Sequence, residues 1–93
     1  MSAQGALNPE RIQRMHELLE SALAPTALEI VDQSHLHAGH AGAATGRAHF
    51  DLTIRAASFA GKTPIQRHRM VFEALGDMMQ TDIHALSIRA ETP

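Results

Sequence analysis

The chain predicts an α+β domain in the order helix, strand, strand, helix, strand, with both helices covering one face of a three-stranded sheet. Three observations carry that expectation. Apolar residues recur at helical spacing in two separate stretches: Ile12, Met15, Leu19 and Leu23, then Ile65, His68, Phe72, Leu75 and Met79, with Val71 and Met78 beside the second stripe. Between them His49-Phe50-Asp51-Leu52-Thr53-Ile54-Arg55 alternates strictly, the mark of a strand with one buried face. Shorter stretches with a period of two, Leu28 to Asp32 and Ile83 to Arg89, complete the sheet.

Each element has a local reason. Asn8-Pro9-Glu10 reads as a helix start, with Asn8 as N-cap, Pro9 in the first turn where its missing N–H costs nothing, and Glu10 near the positive helix end. Pro25 stops that helix. Leu28 and Ile30 then share one side of the first strand. From Ser34 to Gly46 the chain turns to His, Gly and Ala without a regular period, which predicts a loop. In the second strand Phe50, Leu52 and Ile54 face the core, while His49, Asp51, Thr53 and Arg55 face water. Phe59-Ala60-Gly61-Lys62 is a turn, and Thr63-Pro64-Ile65-Gln66 offers a capping box, with Thr63 as cap and Gln66 closing it. Gly76 weakens the second helix and marks either close packing or an early end. In the last strand His84, Leu86 and Ile88 share a face by parity. The chain reads as one domain over 1–93, ordered from about residue 8 to 90, with no internal repeat and no linker.

At 93 residues the chain holds one modest core, and a domain of this size buries only about 60–65% of its unfolded surface. Hydrophobic residues make up 44% and charged residues 19%, values of a globular rather than a disordered chain. The net charge of −2 gives no global attraction to a polyanion, and with three phenylalanines as its only aromatic residues the chain offers little base-stacking surface. No apolar run approaches the roughly 18 residues that span a bilayer, and Met1 to Leu7 lacks signal-peptide character, so a cytoplasmic protein without membrane contact is expected.

Seven histidines and no cysteine are the unusual part of the composition. Such a chain binds metal through nitrogen or carboxylate oxygen, or shares a site whose thiolates come from another molecule. His35 and His37 lie two apart in the loop, and His40 follows a glycine that lets it fold back. They could present two imidazoles to one ion, or belong to a solvated hairpin. His84 is either a core histidine with one satisfied nitrogen or, because it begins its strand, a ring at the core rim with a nitrogen exposed. Lys62, Arg67, His68 and Arg69 form the one concentration of positive charge, suited to phosphate or a partner carboxylate, or else a solvated helix face. No G-x-S-x-G, P-loop, G-x-G-x-x-G or cysteine nucleophile is present, and the pair His49 and Asp51 has no nucleophile to serve, so no enzyme is expected.

Four stretches in order resemble the BolA family: Val31-Asp32-Gln33-Ser34-His35-Leu36-His37-Ala38-Gly39-His40; His49-Phe50; Phe59-Ala60-Gly61-Lys62 with Arg67-His68-Arg69-Met70-Val71-Phe72; and Ile83-His84-Ala85-Leu86-Ser87-Ile88. The resemblance runs from about Ile12 to Pro93. It implies an αββαβ fold similar to class II KH domains. It also implies a partner, a monothiol glutaredoxin, with which such proteins share a bridging 2Fe-2S cluster in iron-sulfur trafficking and iron regulation. The glutaredoxin cysteine and glutathione then supply thiolates. The histidine at the start of the last strand, His84, and one from the loop, His37 by position, with His35 and His40 as alternatives, supply nitrogen. Imidazole in place of thiolate reduces the negative charge at a cluster, which raises its potential and couples reduction to proton uptake, as in Rieske-type centres.

The family is also associated with DNA-binding regulation, for which Lys62, Arg67 and Arg69 would be the contacts, and a weak homodimer is a further partner arrangement to test. A third reading, a zinc or nickel buffer built on the loop histidines, predicts binding that survives His84→Ala and is lost when the loop histidines are replaced.

Overall fold

The structure, a computed structural model, describes residues 3–33 and 48–93, with side chains from Pro9 onward in the first of these segments. Helix α1 (Ala3–Leu23) is followed by strands β1 (Ala27–Asp32) and β2 (Ala48–Arg55), helix α2 (Pro64–Leu75), the single-turn helix α3 (Met78–Thr81) and strand β3 (Ile83–Glu91). The sheet order is β1-β2-β3, with β1 antiparallel and β3 parallel to β2. This is the expected α+β order, with one extra helical turn before the last strand.

Helix α1 starts earlier than the sequence suggests. Ala3, Gln4, Ala6 and Leu7, all good helix formers, precede Pro9, which therefore lies inside the helix and deprives it of one backbone hydrogen bond instead of starting it. Asn8 is accordingly not the cap. At the other end Ala24 closes the helix with φ of 46°, its N–H donating to the Glu20 carbonyl at 3.1 Å, and the Ser58 hydroxyl donates to the carbonyl of Leu23 at 3.3 Å.

Strand β2 is the axis of the core. Phe50, Leu52 and Ile54 are buried, as their alternation requires, and stand opposite Asp32, Ile30 and Leu28 of β1 and Leu86, Ile88 and Ala90 of β3. Met15 and Leu19 of α1, Val71 and Leu75 of α2, Met78, Ile83 and Phe59 close the core from the helical side. Phe59 reaches it from a short 3-10 turn, Ala57–Phe59.

The α2 capping box forms as expected: the Gln66 N–H donates to the Thr63 hydroxyl at 3.1 Å, and the Thr63 N–H to the Gln66 side-chain carbonyl at 2.9 Å. The buried face of this helix is rotated from the predicted stripe. Val71 and Leu75 are buried with Met70 and Ala74 packed against the core, whereas Ile65 and Phe72 are 66% and 40% exposed. Residues i, i+4 and i+8 from Arg67 set the inner face, and the stripe read from Ile65 lies to one side of it. Gly76 ends the helix at φ of 57°, and a Cβ built there meets nothing within 4 Å, so an early end and not close packing explains the glycine.

Candidate histidine site at one end of the sheet

The start of β3 breaks the parity that the sequence suggests. Ala48 pairs with Ile83, but the next residue of β2, His49, pairs with Ala85, so His84 is the extra residue of a bulge. Ile83 and Leu86 both pack on the core across an interval of three residues, which strict alternation does not permit. His84 consequently does not share a face with Leu86 and Ile88: they are half-buried against the core and it is exposed. Of the two readings of His84, the structure favours the exposed one.

The bulge brings His84 beside His49. Their ring centroids are 4.9 Å apart with the planes tilted by 44°. His49 itself is half-buried rather than solvated, and its Nε2 is closed to solvent. Asp51, two residues on, accepts a hydrogen bond from the Gln33 side-chain amide at 3.0 Å, so it is occupied with the residue that follows β1. The Gln33 N–H donates to the His49 carbonyl at 2.8 Å. Gln33 and Ala48, which flank the predicted loop, therefore both lie at the sheet end that holds the two rings. His35, His37 and His40 fall outside the described residues.

An ion pair between a buried arginine and a half-buried aspartate underlies this end of the sheet. Arg11 is 9% exposed, and its Nε donates to Oδ2 of Asp82 at 3.1 Å. The Thr81 hydroxyl donates to Oδ1 of the same carboxylate. That hydrogen bond, and then the hydrogen bond and charge of Arg11 with the charge of Arg14, hold the Asp82 pKa below its ordinary value of 3.8 despite the opposing effect of burial. Sequence reasoning missed this pair. The signal was Arg11 at four residues before Met15, on the extension of the stripe through Met15, Leu19 and Leu23.

Chemically, two imidazoles offer two nitrogen donors of borderline softness. Among the described residues no group of three or more His, Cys, Asp or Glu could hold a metal ion, so closing a coordination shell here takes donors from outside that set.

The basic residues are elsewhere. Arg67 donates from Nε to the Lys62 carbonyl and from Nη1 to the Ala90 carbonyl, both at 3.0 Å, which ties α2 to the far end of β3. The Glu91 carbonyl accepts from Ala56 next to β2, so the Ala90 carbonyl points to the outer edge, and Arg67 covers part of that edge. Lys62 and Arg69 are exposed and His68 is half-buried. Since His84 and Ala90 are six residues apart on one strand, the Arg67 anchor at the Ala90 carbonyl lies about 20 Å along β3 from His84. Among the described residues no helix is long and apolar enough to cross a membrane.

Comparison with known proteins agrees with this architecture. A profile of the family described as BolA-like protein matches residues 19–93. SufE-like protein 1, chloroplastic/mitochondrial, of Arabidopsis thaliana is 44% identical over 88 residues, 89% of this chain and 24% of that protein. The DNA-binding transcriptional regulator BolA of Escherichia coli strain K12 is 34% identical over 80 residues, 86% of this chain and 73% of that one. The solved BolA domain of SufE1 from Arabidopsis thaliana matches with a TM-score of 0.77 at 43% identity, covering 87% of this chain and 90% of that structure. The chain spans 24% to 62% of the length of the plant and mammalian relatives it matches. With the profile extending from Leu19, in the last turns of α1, to the last residue, and with a mixed three-stranded sheet of the same topology class, the chain belongs to the BolA-like protein family.

Proposed function

We propose that this protein is a non-enzymatic adaptor that binds a monothiol glutaredoxin and co-ligates a bridging 2Fe-2S cluster through His84, with His37 as the loop ligand, in iron-sulfur trafficking or iron regulation. The observation that carries the proposal is the bulge that takes His84 out of the core and sets its ring, exposed, against His49 at one sheet end. A histidine with a purely structural role gains nothing from that displacement, whereas a ligand to a shared group must reach past its own protein's surface. The residues present suit such a group: nitrogen donors are at hand, and thiolate, absent from this chain, would come from the partner and glutathione. A bound cluster would supply one-electron chemistry at a potential raised by imidazole ligation. His84 holds the shared edge of the site, His49 buttresses its ring, and the sheet end fixes both.

The test is visible circular dichroism of a monothiol glutaredoxin carrying its glutathione-ligated cluster, titrated with this protein. A new spectrum that saturates near one to one, and that changes with His84→Ala and with His37→Ala, is the expected result. An unaltered glutaredoxin spectrum with the intact protein rejects the reading.

A second reading, a DNA-binding regulator, draws on the name of the Escherichia coli relative and on exposed Lys62 and Arg69. Because Arg67 is committed to two carbonyls, Arg69→Ala is the informative variant. On this reading it flattens the dependence of affinity on salt by about one unit of slope.

A further inference from the structure

We propose that Arg11 is a positioning residue for His84: its part-buried ion pair with Asp82 fixes where β3 begins against β2, and so holds the bulge that turns His84 out beside His49. That the geometry serves ligation rests on the function proposed above; the positioning itself does not.

Three observations lead there. First, Arg11 occupies a place on α1 where an apolar side chain would be expected. Met15 and Leu19, one and two turns on, are fully buried, and Arg11 is the one buried charged or polar side chain among the described residues. Burying the Arg11 guanidinium against a half-buried carboxylate is a poor way to gain stability, because its desolvation offsets much of the attraction; an attested use of buried charge is to select one register over another. Second, its partner is the residue immediately before β3. The Asp82 carbonyl accepts from the N–H of Ala48, the first residue of β2, at 2.9 Å, and the Asp82 N–H donates to the Met78 carbonyl at 2.9 Å. Carboxylate, carbonyl and amide of one residue thus join α1, β2 and α3. Third, the sequence of β3 supports a competing register. Without the bulge, strict alternation puts His84 on the core face with Leu86 and Ile88 and expels Ile83, the arrangement that the sequence alone suggests. A slip of one residue exchanges the faces of a strand, so something outside β3 must choose between the two. The Arg11–Asp82 pair sits two residues before the extra residue and is tied to the neighbouring strand.

The experiment compares the intact chain with Arg11→Met, which keeps length without charge, and with Arg11→Lys, reading nuclear Overhauser contacts between the His49 and His84 rings and across Ala48/Ile83 and His49/Ala85. The expected result is that Arg11→Met keeps the amide spectrum of the Phe50, Leu52 and Leu75 core but loses the His49–His84 contacts, and that Arg11→Lys restores them. Contacts that are unchanged in folded Arg11→Met overturn the proposal. If Arg11→Met does not fold, Asp82→Asn decides: loss of the histidine contacts in a folded chain supports the proposal, and their survival, or failure of this variant also to fold, overturns it in favour of a general stabilising pair. An intact protein that leaves the glutaredoxin spectrum unaltered, with the nuclear Overhauser result as expected, rejects the shared-cluster reading and leaves the positioning role standing.

Discussion

His84 and Arg67 show how the same kind of sequence signal, a polar residue in a regular element, resolves in opposite ways. His84 looked half committed to the core and is exposed; replacing it with alanine removes little beyond its ring contact with His49, and the expected change in unfolding free energy is within about 0.5 kcal/mol by chemical denaturation. Arg67 looked like a surface charge and holds α2 to the turn at Lys62 and to the edge of β3. Arg67→Ala leaves the Ala90 carbonyl without this donor and is expected to destabilise by about 1–3 kcal/mol, larger than the effect of Arg69→Ala. Asp82 adds a pH dependence. Because its folded pKa lies below the ordinary 3.8, its contribution to stability is fully present above that value and is lost as the pH falls through the lowered folded value. Acid titration of the intact protein against Asp82→Asn checks this: the variant should show a shallower loss of stability below about pH 4.

At the scale of elements, the helix ends offer the clearest tests. Ala24 has a positive φ of 46°, a conformation that strains any residue with a Cβ, and it is exposed. Ala24→Gly is expected to stabilise the fold by about 0.5–1 kcal/mol, seen as a raised melting temperature. On α2, Leu75→Ala is expected to cost about 2–5 kcal/mol, whereas Phe72→Ser, at a residue 40% exposed, costs far less; comparable large costs at both would restore the predicted stripe, which held both residues. The elements themselves were legible, because capping boxes, prolines and alternation act within a few residues: Thr63 and Gln66 bond as their spacing requires, and β2 alternates as read. The start of α1, the rotation of α2 and the bulge were not. The last two depend on contacts between distant segments, and the first on helix formers that carry the run back beyond Pro9. The bulge is invisible to a parity argument because the extra residue is recognised only when Ile83 and Leu86 are both seen to pack on the core. Likewise Arg11 and Asp82 are 71 positions apart, so nothing local marks them as partners.

Across the whole molecule the sheet separates two surfaces. The histidine pair lies where β3 begins, and the basic cluster of Lys62 and Arg69 lies near its far end. A protein that used both would respond to changes at each independently, since sites so far apart with no shared partner add in free energy. His84→Ala and Arg69→Ala should therefore have separate, additive effects on any glutaredoxin and nucleic-acid binding, measured side by side. Composition supplied the first indication for the proposed shared site: seven imidazoles and no thiol are compatible with a site completed by another molecule. The fold supplied the exposure of one of those rings and its neighbour.

The most direct test of the shared site labels only this protein's histidines with nitrogen-15, mixes it with unlabelled glutaredoxin carrying the cluster, reduces the complex and records pulsed electron paramagnetic resonance. Strong nitrogen-15 couplings of directly bound imidazole, reduced in His84→Ala to those of the remaining loop ligand His37 and lost when both are replaced, are the predicted result. A reduced cluster that shows no nitrogen-15 coupling beyond the weak background contradicts the account, because the cluster would then be held without this chain.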